Sequence, residues 1–292
     1  IGSPMADFVM EQPEPKILNY HNITPAKFLM GWEPAVVKEV MVGRLQLTRM
    51  ARIAKAGIAD SRFNESELRD AGYSRTAVSP LLVDLTAMDQ AVDERAFDEL
   101  QLAKEAGGAD LLFVGRVLPH KAHHDLIKTL VAYRELYDPR ARLHLVGGVG
   151  SALYRSALAQ FVGELGLEEA VDFAGSVSGG ELSAYYRSAD AFVCCSDHEG
   201  FCVPLIEAMH HHLPVVAYGA AAVPETLEGV GLVLKDKSPT AMAAAVHRVI
   251  EDGELRKAMV SAGDDRLRDY ALGKTRAYFS ATIEQMLGAI AP

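Results

Sequence analysis

The sequence predicts an α/β protein built on parallel sheets covered by helices on both faces. Three observations carry that expectation. Short apolar runs rich in Val, Ile, Leu and Phe alternate with longer stretches of helical periodicity. The segments between them are brief and glycine-rich or polar, which suits repeated strand–helix units with parallel strands. The chain has 292 residues, 49% of them apolar, with a mean hydropathy of +0.07. That is enough for two domains of roughly 100–200 residues each.

Taken in order, the first 88 residues offer strands at 16–20, 57–60 and 76–78, with helices over 35–55 and 65–71. Three strands make only half of a doubly wound domain. Residues 84–108, rich in Asp, Glu and Ala, read as a connection. From Asp110 onward the alternation is regular. Strands are expected at 111–114, 143–146, 171–173, 191–195, 214–218 and 231–234. Helices fit near 122–137, from Gly150 through 165, at 181–188 and from Pro204 past Glu207 to the histidines at 210–212, because proline suits a first helical turn. A final helix falls at about 275–287.

Composition excludes several function classes. The net charge of −10 comes without any dense basic patch, so nucleic acid is not an expected partner. No run of about 18 apolar residues is present, so no spanning helix is expected. The three cysteines, Cys194, Cys195 and Cys202, make no disulfide framework and point to a reducing cytoplasm. The opening Ile1-Gly2-Ser3-Pro4 is neither an initiator methionine nor a signal peptide. It reads as a start partway through a longer protein.

Two segments carry chemistry. In Ser196-Asp197-His198-Glu199-Gly200-Phe201-Cys202-Val203-Pro204-Leu205-Ile206-Glu207, two carboxylates stand eight positions apart across a glycine turn and a helix start. Amides near Gly200 and Phe201 are expected to point out of that helix N-terminus, a natural site for a diphosphate. Glu207 accepts hydrogen bonds, which suits a pair of sugar hydroxyls. Upstream, Gly115-Arg116-Val117-Leu118-Pro119-His120-Lys121 ends the strand at 111–114. Arg116 can fork onto phosphate and Lys121 can act as a mobile point charge, together neutralising a leaving diphosphate. Gly147-Gly148-Val149-Gly150 imitates a dinucleotide fingerprint, but Leu153 stands where its third glycine belongs. A nicotinamide dehydrogenase is rejected on that ground.

With Gly-Arg followed by Lys five positions later, and then Glu-x7-Glu, the chain resembles the retaining GT-B glycosyltransferases, often called glycosyltransferase family four. The resemblance implies two Rossmann-like domains with a parallel sheet each, the first incomplete here. Residues 1–88 would be the C-terminal half of the acceptor-binding domain and 89–108 the interdomain connection. Residues 109–273 would be the nucleotide-sugar donor domain, and 274–292 a helix crossing back toward the first.

It further implies that Glu199 positions the transferred sugar and that Glu207 binds the ribose. Arg116 and Lys121 would clamp the diphosphate, and His21 at the end of the first strand would meet sugar or acceptor. The donor site would be completed by Gly115, Gly148, Val177, Gly200, Phe201, Cys202 and Val203. The loop at 174–178 would touch the base through its backbone; read alone, it is equally a plain turn at Gly175. Ser61, Asn64 and Asp84 match structural landmarks, and Pro224-Glu225-Thr226 reads as a helix start near the donor.

The implied reaction moves a hexose from a UDP- or GDP-sugar to a glycan or lipid-linked acceptor, in cell-envelope synthesis, without a metal or other cofactor. His210, His211 and His212 are consecutive and point about 100° apart on a helix, so they are assigned no metal. Lys38, Arg44, Arg49, Arg52 and Lys55 give one helix a basic face. It reads first as solvated, and otherwise as a peripheral contact on the inner face of a membrane. Two alternatives stand beside the transferase: a nucleotide-sugar epimerase of the same architecture, for which only His21 offers acid–base chemistry, and a donor-binding module without catalysis.

Overall fold

The computed structural model describes residues 2–89 and 91–288. The chain divides into two compact units. One comprises residues through Val83, His198–Phe201 and those from Asp269 on; the other comprises Asp84–Asp197 and Cys202–Arg268.

The first unit holds α1 (Pro4–Glu11), β1 (Ile17–Tyr20), α2 (Pro34–Ala51), β2 (Ala56–Ala59), α3 (Arg62–Asp70), β3 (Thr76–Val78) and α12 (Leu272–Gly288). Its three strands are parallel, in the order β1-β2-β3. Central β2, Ala-Gly-Ile-Ala, is buried at all four positions. Gly57 is needed there, because a Cβ would come within 2.9 Å of Leu68 and 3.1 Å of Tyr73. Tyr20, Leu47, Met50, Leu68 and Tyr73 form one hydrophobic cluster. Ile58 joins Met286 of α12, with Phe279 and Ile283 alongside, in another. Helix α2 stops at Ala51, short of the expected 55, because the Lys55 amide donates to the Lys16 carbonyl at the mouth of β1.

The second unit runs α4 (Glu94–Glu105), β4 (Asp110–Val114), α5 (His123–Leu136), β5 (Arg142–Val146), α6 (Ala152–Glu164), β6 (Val171–Gly175) and α7 (Gly179–Ser188). It continues β7 (Ala191–Cys194), α8 (Val203–His210), β8 (Val215–Tyr218), α9 (Val223–Leu227), β9 (Leu232–Leu234), α10 (Pro239–Glu251) and α11 (Gly253–Leu267). All six strands are parallel, in the order β6-β5-β4-β7-β8-β9. The order reverses between β4 and β7. In an open parallel sheet, ligands bind beyond the carboxyl ends of the strands at such a reversal.

All nine expected strands are present. The expectations above do not include α1, α4, α10 or α11. Residues 89–108, expected as a connection, contain α4, which counts with the six-stranded unit. The Lys104 ammonium fixes it there through Asp190 at 2.7 Å and the Ser188 carbonyl at 2.8 Å. The division between units falls at Val83–Asp84 instead.

At the amino ends of the sheet, Arg142 forks onto Asp110 at 2.7 and 2.9 Å. His144 reaches Asp110 at 3.0 Å and Asp172 at 3.3 Å. Burial pushes the Asp110 carboxyl up, but hydrogen bonds from His144 and Arg142 outweigh it and hold the group below its usual range.

Candidate functional site

In the six-stranded unit, the reversal point gathers the loops after β4 and β7. The β4 loop carries Gly115, Arg116 and Lys121. Arg116 is exposed, with no partner for its guanidinium among the described residues, while Lys121 is half-buried. Two devices hold this loop. The Val117 amide donates to the Gly148 carbonyl at 3.0 Å, and the amides of Gly150 and Ser151 return to the Val117 carbonyl at 3.1 and 3.0 Å. Gly147 has φ +143°, and a Cβ there would stand 2.2 Å from the Gly115 carbonyl oxygen. The glycine turn after β5 therefore supports the Arg116 loop from behind. Gly148, expected against the ligand, has its carbonyl committed to this backing. Val177 lies half-buried before α7, whose N-terminus is closed by a capping box of Ser178 and Glu181.

The β7 loop is joined to the β4 loop by a hydrogen bond from the Asp197 amide to the His120 carbonyl, 2.8 Å. Helix α8 begins at Val203, with Cys202 as N-cap in the left-handed conformation, φ 70°. The amides at this helix N-terminus thus belong to Cys202 and Val203. Gly200 and Phe201, expected to supply them, lie upstream in the preceding bend. A left-handed non-glycine residue at such a point costs about 1 kcal/mol or more and persists where its surroundings fix it.

Glu207 sits in the second turn of α8. Its Oε2 accepts from the Tyr186 hydroxyl at 2.7 Å. Tyr186 is itself buried and stacked between Phe192 and His211. Burial raises the Glu207 pKa above the usual carboxylate range, and the Tyr186 hydrogen bond works against that rise.

The three consecutive histidines take separate partners. His210 pairs with Asp89 at 2.8 Å, His211 stacks on Tyr186, and His212 pairs with Asp264 at 3.1 Å. Burial brings His211 down to about 4.

In the three-stranded unit, the segment His198–Phe201 is held at the carboxyl ends of β1 and β2. The Gly200 carbonyl accepts from Ser61 Oγ at 2.7 Å and Asn64 Nδ2 at 3.3 Å. His198 Nε2 meets Asn22 Oδ1 at 2.8 Å, its ring against Phe28 and Phe63. Phe201 packs edge-on to Tyr270. A Cβ on Gly200 would fall 2.7 Å from that of Asn22. Ser61 and Asn64, expected as structural landmarks, are thus the clamps of the turn that follows buried Glu199.

His21 stands at the end of β1, 55% exposed, with Nδ1 3.5 Å from Asp60 Oδ2. Its pKa is raised by the hydrogen bond to Asp60, against the opposing effect of burial. Asp60 in turn accepts from Asn64 Nδ2. On α2, Arg44 pairs with Glu67 at 2.6 Å and Arg49 with Asp7 at 3.1 Å, so two of the five basic residues expected on one solvated face are paired within the unit. No helix among the described residues is long and apolar enough to cross a membrane.

Motif reading missed Tyr186, Asp60, Asp125 and Lys237. The first two are the hydrogen-bond partners of Glu207 and His21. Their only sequence signal is position at a strand end or on a core-facing helix.

Comparison with known proteins places this geometry. Residues 94–266 match the family model described as "Glycosyl transferases group 1". The D-inositol 3-phosphate glycosyltransferase of Kineococcus radiotolerans is 31% identical over 260 residues, covering 84% of this chain and 59% of that protein. A GDP-mannose-dependent alpha-(1-6)-phosphatidylinositol monomannoside mannosyltransferase of Mycobacterium tuberculosis is 31% identical over 159 residues, 51% of this chain and 40% of that protein. The chain therefore spans well under two thirds of the curated relatives it matches. Anabaena HepE in complex with UDP-glucose superposes with a TM-score of 0.80 at 21% identity, over 96% of this chain and 75% of HepE. Sucrose-phosphate synthase from Thermosynechococcus elongatus does so with 0.75 at 24%, over 97% and 70%. These likenesses establish the GT-B fold.

Proposed function

The chain belongs to the glycosyl transferases group 1 family, and from that premise we propose that it acts in the transfer of a hexose from a UDP- or GDP-sugar to a glycan or lipid-linked acceptor. Anomeric configuration is retained, and the setting is cell-envelope synthesis. The reading rests above all on half-buried Glu207, oriented by Tyr186 beside the reversal point of a six-stranded parallel sheet. Two acceptors of hydrogen bonds on one carboxylate suit the paired hydroxyls of a ribose.

In this reading Arg116 forks onto the diphosphate, and Lys121 follows the charge that develops as the glycosidic bond breaks. The amides of Cys202 and Val203 at the start of α8 add donors to the same phosphates. Two side-chain cations and a helix N-terminus neutralise the leaving group, so the scheme calls on no metal. Glu199, held by the Gly200 clamp, positions the transferred sugar, and His21 with Asp60 behind it donates to a sugar or acceptor hydroxyl. The leaving phosphate takes the acceptor proton on the face from which it departs, which gives retention without a covalent nucleophile.

Calorimetric titration with UDP, GDP and ADP tests the reading, with Glu207→Ala and Arg116→Ala in parallel. One nucleotide is expected to bind, and both substitutions to weaken it about tenfold or more, the worth of one charge-assisted hydrogen bond. A folded protein that binds none of the three, or binds one with both variants unaffected, would overturn the site and leave a module without this chemistry.

A further inference from the structure

Lys237 lies in the loop between β9 and α10. Its ammonium reaches Asp125 at 2.7 Å and Asp197 at 2.6 Å, over the ring of Tyr218 at 5.5 Å. Asp125 belongs to the first turn of α5, directly after the Arg116–Lys121 loop, and is 8% exposed. Asp197 ends the β7 strand loop, and its amide already bonds the His120 carbonyl. One side chain from the edge of the sheet thus grips both loops that meet at the reversal point.

We propose that Lys237 is a positioning residue for the anion site. By bridging Asp125 and Asp197 it fixes the Arg116–Lys121 loop against the loop leading to Glu199, and it offsets carboxylate charge beside a bound diphosphate. The inference rests on the donor reading above. The other groups facing this cluster are His124, 3.4 Å from Asp125, and Lys128, 3.2 Å from it. His124 is tied in turn to Tyr154 at 2.7 Å. Burial works to lower the Lys237 pKa, but Asp125 and Asp197 outweigh it and keep the ammonium charged. Lys128 stays beside Asp125 when Lys237 is removed, but Asp197 loses the ammonium that pairs with it, so the substitution leaves carboxylate charge less compensated.

The test sets affinity for UDP and GDP against sign. Lys237→Met should weaken the preferred nucleotide about tenfold while the protein stays folded, and Lys237→Arg should stay within about threefold of the unsubstituted protein. Asp125→Asn and Asp197→Asn decide the mechanism. Each removes a negative charge near an anion site, so simple electrostatics predicts tighter binding. A bridge predicts weaker binding, by about threefold or more, because each breaks the grip.

Tighter binding in the asparagine variants, or Lys237→Met within twofold of the unsubstituted protein, would overturn the proposal. Hydrogen exchange at the Asp197 amide reads the bridge without ligand. Faster exchange in Lys237→Met supports the bridge even if neither nucleotide binds, in which case the donor reading alone fails. Unchanged exchange overturns the bridge.

Discussion

The two edges of the six-stranded sheet carry charge in opposite ways. At the amino edge Asp110 is held by Arg142 and His144, and Asp190 by Lys104 and the Asp110 amide. These charges have their complements within the unit. At the carboxyl edge Lys237 serves two carboxylates, while Arg116 is exposed, with no partner for its guanidinium among the described residues. The same strands therefore end in a closed network on one side and an unfinished one on the other. Saturated charge holds a fold together, whereas an exposed cation on a rigid loop is available for a ligand.

The sharpest way to break this contrast is to remove one arginine from each edge. Arg142→Ala leaves buried Asp110 with His144 but without the forked guanidinium, and should cost about 1–3 kcal/mol of stability in urea unfolding. Nucleotide affinity of the folded fraction should stay unchanged. Arg116→Ala should do the reverse, with stability held within about 0.5 kcal/mol and the affinity lost. Equal loss of stability in both variants would erase the distinction between the edges.

Tyr186→Phe acts on the carboxyl edge without removing any charge. It takes away the hydroxyl that donates to Glu207, an interaction to a charged acceptor of about 1.5–3 kcal/mol. That hydrogen bond opposes the upward push of burial on Glu207. Without it the carboxyl titrates still higher, so the acid limb of nucleotide binding should move to higher pH. A binding profile superimposable on that of the unsubstituted protein would remove Glu207 from the binding step.

How much of this was legible in the sequence depends on distance along the chain. All nine strands were legible, and most easily the central ones, because strands buried on both faces read as short continuous apolar runs. The spacing of Glu199 and Glu207 and the Gly115–Lys121 segment were legible as well, since each lies within one loop and the element beside it. The partners were not. Tyr186 stands 21 positions from Glu207, and Lys237 stands 40 from Asp197. Only tertiary packing brings them together.

The same reason hid the allegiance of His198–Phe201. Nothing in those four residues tells of Asn22, Ser61 and Asn64, more than 130 positions away. Gly148 shows a role that spacing does not announce, for its carbonyl backs the Arg116 loop.

Two buried histidines of this unit give the smallest and most discriminating effects, because their pH dependences have opposite sign. Burial would lower the His144 pKa, but its hydrogen bonds to Asp110 and Asp172 outweigh that effect and raise it above 6.5. Its contribution is therefore complete below pH 6.5 and lost as pH rises through the folded value. His123 lies at the start of α5, fully buried against Phe113 and Tyr154, with neither ring nitrogen hydrogen-bonded. Burial, with Lys121 adding to it, takes its pKa from 6.5 to about 3. Between those values the unfolded chain binds the extra proton, so His123 destabilises the fold as pH falls below 6.5.

Thermal midpoints from pH 4 to pH 9 separate the two. His144→Gln should flatten the decline above pH 6.5 and lower stability at acid pH. His123→Leu, close in volume, replaces an unsatisfied imidazole and should gain about 1 kcal/mol near neutrality, with a larger gain toward pH 4. A loss of stability in His123→Leu across the whole range would mean that the imidazole has a partner, and that this edge of the sheet is better satisfied than its geometry indicates.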